Sequence, residues 1–227
     1  MATSGTTAFN PNNLTILEEA FELAGVELRT GNDYESAMRS LDLLKLEWGN
    51  EGLNLWTVEE ETLSLAAGDG MYDLPGDTID LLHAAIRTGT GTSQTDYRLA
   101  RVAFPRWSGI TNKNQTGRPT TMLIERTLTP VIRLWPVPDT TYTLVYWRIR
   151  RMEDAGGATA TLDMPTRFIP AIITGLAIKI AIKNARGKRA QELSAKASFL
   201  LPIYNQQLQF AKDEDRDRSS FFVRPGF

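Results

Sequence analysis

The 227-residue sequence predicts an α+β protein, in which a helical bundle built from both ends of the chain carries an inserted antiparallel β sandwich or barrel. Apolar residues recur at helical spacing in residues 14–54 and again in residues 155–211. Between them, residues 55–154 hold short β-branched and aromatic runs separated by turn residues. A polar arm, residues 1–13, precedes the helices, and an extended tail, residues 212–227, follows them.

The first two helices are predicted to form a helical hairpin. One helix begins at Leu14 and ends near Gly25, with its acidic residues early, where the helix dipole favours them. The second runs from about Asp33 to Trp48 and is broken by the glycines that follow it. Each helix has one apolar face, so we expect a later part of the chain to cover the hairpin.

The β region is predicted from five runs and five breaks. The runs are residues 55–65, 80–88, 122–126, 131–135 and 142–150. The breaks are residues 68–70, 75–76, 89–92, 117–119 and 136–138. The Gly-Thr-Gly-Thr break at residues 89–92 has neither the lysine nor the strand-to-helix setting of a phosphate loop, so we interpret it as a connection.

A third helix follows the Ala-Gly-Gly-Ala linker at residues 155–158 and is apolar on two sides. Lys179 and Lys183 interrupt it, which argues against a membrane span. One side is expected to cover the hairpin. The other is expected either to face a neighbouring subunit or to be buried within one monomer, and it comprises Ala171, Gly175, Ile178 and Ile182.

The last helix is predicted from about Lys188 to Ala211, with a kink at Pro202. A charged stretch and an aromatic-rich terminus follow it, and such a terminus is expected to be covered. We expect it to dock on another chain, with folding back onto its own domain as the alternative. The residues predicted to make this contact are Arg216, Arg218, Phe221, Phe222, Val223, Arg224, Pro225 and Phe227.

Composition excludes several chemistries. The chain has no cysteine, which removes disulfides, thiolate nucleophiles and thiolate metal sites. Its net charge of -2 gives no overall attraction to nucleic acid or to an anionic membrane. The polar N-terminus lacks the pattern of a secretory signal, so we expect the protein to stay in the cell that makes it, without a membrane anchor.

The sequence predicts no catalytic, metal or cofactor site. His83 is the single histidine and lies in an apolar run, where a structural role is expected. In a strand, Glu60 would point away from Glu59 and Glu61, and no second carboxylate is fixed at a working distance for glycan hydrolysis. Glycan hydrolysis is therefore the weakest alternative.

Two binding functions remain open in the β region. Arg148, Arg150 and Arg151 are interleaved with aromatic residues and are predicted to contact DNA phosphates or a partner protein. Strand alternation explains the same pattern, with Trp147 and Ile149 facing the core and Tyr146, Arg148 and Arg150 facing outward. A carbohydrate-binding sandwich is the other alternative, suggested by Trp107, Trp135 and Trp147.

The two N-terminal segments resemble a known family. Residues 16–26 (ILEEAFELAGV), a polar turn and residues 37–56 (AMRSLDLLKLEWGNEGLNLW) are similar to the opening of head-to-tail adaptor proteins of short-tailed bacteriophages, also called head-completion or packaged-DNA-stabilisation proteins. The shared pattern is a helix ending in Gly-Val and a second helix ending in Glu47-Trp48, followed by Gly52 and Trp56.

This resemblance implies a non-enzymatic virion protein at the head-tail junction, present in the host cytoplasm during assembly. It implies a homo-oligomeric ring, twelve-fold by family resemblance, mounted on the portal protein and facing the tail nozzle or tail fibre proteins. The ring would close or extend the channel and retain double-stranded DNA until ejection, without sequence specificity. The tail from Asp213 to Phe227 would then dock on the portal.

Overall fold

The computed structural model describes residues 5–6, 9–53 and 55–214. The chain is a mixed α+β protein that divides into two compact units. One unit is Asn54–Arg151, which contains both β sheets, and the other contains the described residues on either side of it.

The helical unit contains four long helices. They are α1 (Asn13–Ala24), α2 (Gly31–Asn50), α4 (Ile169–Asn184) and α5 (Ala190–Glu214). Helix α4 packs against α1, α2 and α5, and most of its residues are buried, as expected of a helix that is apolar all round. Pro202 lies inside α5, which continues through it to Glu214.

Local sequence signals set the ends of the first two helices. The Asn12 side chain accepts a hydrogen bond from the Thr15 amide and caps α1, and Gly25 ends that helix in the left-handed conformation. Thr30 and Asp33 form a reciprocal capping box at the start of α2. These caps satisfy backbone groups that the helix itself leaves unpaired.

Trp48 joins three helical segments at the centre of this unit. Its buried ring lies 5.7 Å from the ring of Phe168, and its Nε1 donates a hydrogen bond to the Tyr204 hydroxyl at 2.7 Å. Gly175 of α4 lies between Tyr204 of α5 and Leu44 of α2. A Cβ atom there would lie 2.8 Å from Cε2 of Tyr204 and 2.9 Å from Cδ2 of Leu44, so only glycine allows the three helices to approach this closely.

The segment predicted as a linker is held firmly against α1 and α2. Asn13 is fully buried, and its Nδ2 donates to the carbonyl oxygens of Ala155 and Gly157. Lys45 is also buried and donates to the Glu153 carbonyl, while Asp42 accepts from the Ala155 amide. Buried polar side chains therefore satisfy a stretch of backbone that has no regular structure of its own.

The β unit contains two four-stranded sheets that share one core. One sheet has the order β1 (Val58–Leu65), β8 (Tyr142–Arg150), β3 (Thr78–Thr88) and β4 (Thr95–Arg98). The other has the order β2 (Met71–Asp73), β7 (Val131–Trp135), β6 (Thr121–Glu125) and β5 (Ala100–Arg101). Neighbouring strands are antiparallel except β5 and β6. The arrangement fits the predicted sandwich.

Inward-facing residues of both sheets form the core of the β unit, which comprises Leu65, Leu74, Leu81, Ala84, Ile86, Leu99, Met122, Ile132, Leu134, Leu144 and Tyr146. A short helix, α3 (Phe104–Ser108), places Trp107 against Val102 and Leu123 in a second small cluster. Gly89 permits a tight turn after β3, because a Cβ atom there would overlap the Ser93 carbonyl.

The predicted alternation of β8 is wrong by one residue. Tyr146 lies in the sandwich core with Leu144, and Arg148 is 6% exposed, whereas Trp147 and Ile149 are half-buried on the opposite face. The error arose because an arginine was expected to face solvent. Here carboxylates from β1 and from the loop before β3 compensate its buried charge.

Candidate functional site

The most elaborate polar cluster surrounds Arg148 at one end of the sandwich. Its Nε donates to Glu61 at 2.8 Å, one terminal nitrogen donates to Asp77 at 2.6 Å, and the other donates to Glu59 at 3.1 Å. Glu61 also accepts a hydrogen bond from the Tyr146 hydroxyl at 2.9 Å. Burial, followed by this hydrogen bond, raises the pKa of Tyr146 well above its usual value.

This cluster changes the expectation for the arginines of β8. Arg148 is engaged by three carboxylates, and Arg150 donates to Glu59 at 2.6 Å. A contact of either side chain with DNA or a partner would first require these ion pairs to open. Arg151 is exposed, and its amide donates to the Asp77 carbonyl. The geometry is that of a buried network that holds strands together.

The carboxylate run on β1 alternates as predicted. Glu59 and Glu61 both point to Arg148, whereas Glu60 lies 3.9 Å from Arg87 on the other face. His83 is exposed, and its Nδ1 lies 3.2 Å from a terminal nitrogen of Arg98.

The strip predicted on α4 as a subunit interface is largely covered by this chain itself. Ala171 is fully buried, and Gly175 is packed between Tyr204 and Leu44. Ile178 is half-buried, and Ile182 alone of the four is well exposed, at 60%. The alternative of burial within one monomer therefore applies to Ala171 and Gly175. The predicted contact residues of the tail, from Arg216 to Phe227, lie outside the described residues.

Outward-facing apolar residues occur instead on α5 and α2. On α5, Phe199 and Phe210 are 66% and 61% exposed, and the half-buried Ile203 lies between them on the same side of the helix. On α2, Leu43 and Leu46 are both about half exposed. The sequence did not predict these two faces, because apolar residues at helical spacing indicate the buried side of a helix. The available signal was the position of Phe199 and Phe210 away from the Leu193–Leu208 stripe.

A shallow recess of about 400 Å³ lies on the outer face of the first sheet. Apolar atoms dominate its lining, which comprises Val58, Leu82, His83, Ala84, Ala85, Asp96, Arg98 and Trp147. Of the tryptophans considered for carbohydrate binding, Trp147 lines this recess, whereas Trp107 is buried beside α3 and Trp135 donates to the Asn112 carbonyl. The three side chains therefore do not form one binding platform.

Within the part of the chain that the structure describes, no group of three or more histidine or acidic side chains is arranged to hold a metal ion. Over the same residues, no helix combines the length and the apolar character that a membrane crossing requires.

Comparison with known proteins identifies a family for this chain. No curated protein sequence matches the chain. Residues 24–224 match the family described as SU10 adaptor protein. The match extends over both units and covers most of the chain. This agrees with the resemblance of residues 16–26 and 37–56 to phage head-to-tail adaptors and indicates a structural protein of the bacteriophage virion. The chain belongs to the SU10 adaptor protein family.

Proposed function

We propose that the protein is a head-to-tail adaptor that forms a ring between the portal protein and the tail nozzle. In this role it closes or extends the DNA channel and retains packaged DNA until ejection, and no catalytic step is involved. The family match over residues 24–224 is the observation that carries the proposal. The four long helices would act as one bundle, and the β unit would contact tail components.

Two different apolar faces on the helical unit support a ring. A cyclic assembly with more than two members needs heterologous contacts, in which one face of each copy meets a different face of the next copy. The exposed apolar residues on α5 (Phe199, Phe210) and on α2 (Leu43, Leu46) are the candidates for such a pair of faces. We propose them as ring contacts, together with Ile182, in place of Ala171 and Gly175.

The tail is proposed as the portal-docking element. Its anchors are Phe221, Phe222 and Phe227, and aromatic side chains are the usual hot spots of interfaces. The test mixes the portal protein of the same phage with the full chain and with a version that ends at Glu214, which keeps all of α5. We expect the full chain to co-sediment with the portal protein and the shortened chain to remain in the supernatant. Failure of both to bind would contradict the proposal.

A carbohydrate-binding tail module is the second candidate, and the recess beside Trp147 is the observation that favours it. Aromatic faces with nearby polar groups are common in ligand sites, although this lining is mostly apolar. A glycan-array screen of the full chain and of Trp147→Ala distinguishes the two functions. Glycan binding by the full chain that the Trp147→Ala substitution abolishes would support the module.

A further inference from the structure

A concentration of basic residues lies at the turn between α4 and α5. Lys179, Lys183, Arg186, Lys188 and Arg189 follow one another there, with no acidic residue between Asp163 and Glu192 in the sequence. The chain as a whole carries a net charge of -2, so this positive patch is a local feature and not a reflection of composition.

The patch borders a recess of about 540 Å³ within the helical unit. The polar residues in its lining are Asp33, Ser36, Ser40, Lys183, Asn184 and Arg186. The Lys183 ammonium group donates to the Ser40 hydroxyl at 2.5 Å, to the Ser36 carbonyl at 3.1 Å and to the Ser36 hydroxyl at 3.3 Å. Asp33 forms no ion pair with Lys183 in the described residues; its carboxylate accepts from the Thr30 amide and hydroxyl in the capping box.

Three of the five cations already make contacts within the fold, and Lys183 is one of them. Lys179 pairs with Glu47 at 2.6 Å, and Arg189 donates to the Gly25 carbonyl, which fixes the turn against the end of α1. In the described residues, Lys183, Arg186 and Lys188 have no carboxylate partner. Burial, and then the charges of Arg39 and Lys179, lower the pKa of Lys183, as expected in positive surroundings.

We propose that this turn contacts phosphate groups of the DNA backbone, without sequence specificity. Separate lysine and arginine cations match a row of phosphates, which proteins contact with these side chains. The inference deepens the adaptor role and rests on the proposed function, in which DNA passes the ring. It moves the DNA contact from Arg148 and Arg150, which the β1 carboxylates engage, to Lys183, Arg186 and Lys188.

The test titrates the isotope-labelled full chain with short double-stranded DNA of random sequence and follows backbone amide chemical shifts. We expect low-salt shifts at residues 183–189 and at Ser36 and Ser40, and none at residues 148–151. Binding should weaken about tenfold in Lys183→Gln/Arg186→Gln, and the slope of log affinity against log salt should fall by about two. Arg106→Gln/Lys113→Gln removes the same charge from the β unit and should bind as the parent does.

Arg186→Gln/Lys188→Gln is a second variant that alters two exposed side chains outside the long helices, so its fold should be retained. Unchanged DNA binding in both turn variants would contradict the inference. Equal changes in the amide chemical shifts when polyglutamate replaces DNA would also contradict it. A chain that rings the portal but shows no DNA shifts at the turn contradicts this inference alone. A chain that binds DNA at the turn but ignores the portal contradicts the adaptor proposal alone.

Discussion

At the scale of single residues, Arg148 matters most to the β unit, because one buried guanidinium connects β1, β8 and the loop before β3. Arg148→Gln would remove the cation that Glu59, Glu61 and Asp77 share, while Glu59 would keep its ion pair with Arg150. These carboxylates are 31–40% exposed, so we expect a loss near the lower end of the range for broken buried ion pairs, about 3 kcal/mol. Urea-induced unfolding measures it.

Arg126→Gln is the matched control for this prediction. Arg126 pairs with Asp80 from a side chain that is 61% exposed, and Asp80 keeps its ion pair with Arg101. Arg126→Gln should therefore lower the free energy of unfolding by less than about 1 kcal/mol. Equal losses in the two variants would show that Arg148 is not the centre of the network.

Tyr146 gives the β unit a predicted dependence on alkaline pH. Burial and the hydrogen bond to Glu61 raise its pKa in the folded chain, so the folded state favours the neutral phenol. The stabilisation is complete below the ordinary tyrosine pKa of about 10 and is lost as pH rises beyond it toward the folded pKa. Above about pH 10 the parent should therefore lose about 1.4 kcal/mol per pH unit more than Tyr146→Phe.

Urea unfolding at a series of pH values from about 9 to 11 tests this difference. The half-exposed Tyr97 supplies the control variant, Tyr97→Phe, which should follow the parent. Parallel pH curves for the parent and Tyr146→Phe would be incompatible with a raised pKa.

At the scale of elements, the sequence predicted the long helices and the longer strands well. Helix α2 was expected at residues 33–48 and is Gly31–Asn50, and β7 and β8 have the expected bounds. Strands β2, β4 and β5 were missed because two to four residues are too short to show alternation. Their pairing depends on neighbours distant in sequence, such as Met71 beside Arg133.

The candidate surfaces were harder to predict, for a physical reason. Periodicity shows which residues share a helix face but not which other helix covers that face, so the strip containing Ala171 and Gly175 could be assigned to a neighbouring subunit. The side chains of Tyr204 and Leu44 cover it instead. The burial of Arg148 was equally hidden, since it depends on carboxylates from other segments.

The outward face of α5 gives a prediction about assembly. Phe199→Ser/Phe210→Ser should leave the unfolding free energy of the isolated chain within about 0.5 kcal/mol, because both side chains are mostly exposed. The same variant should form fewer rings on the portal, as counted in negatively stained particles. Leu128→Ser, at a fully exposed leucine of the β unit, is the control and should assemble normally. If the α5 variant forms as many rings as the parent chain, this face is not part of the interface.

At the scale of the whole molecule, the β unit has a core of its own, and its cluster of buried residues draws on both sheets. We expect residues 54–151, expressed alone, to fold cooperatively with a single unfolding transition seen by both circular dichroism and tryptophan fluorescence. Strong binding of a hydrophobic dye and loss of the near-ultraviolet signal would instead indicate that this unit needs the helical unit in order to fold.

The adaptor role is tested most directly by a cryo-electron microscopy map of the portal protein incubated with the full chain. The account predicts a ring of copies at the tail-facing end of the portal, around the channel, with the helical units in contact through α2 and α5. A portal that carries no added density, or single copies bound away from the channel axis, would contradict it.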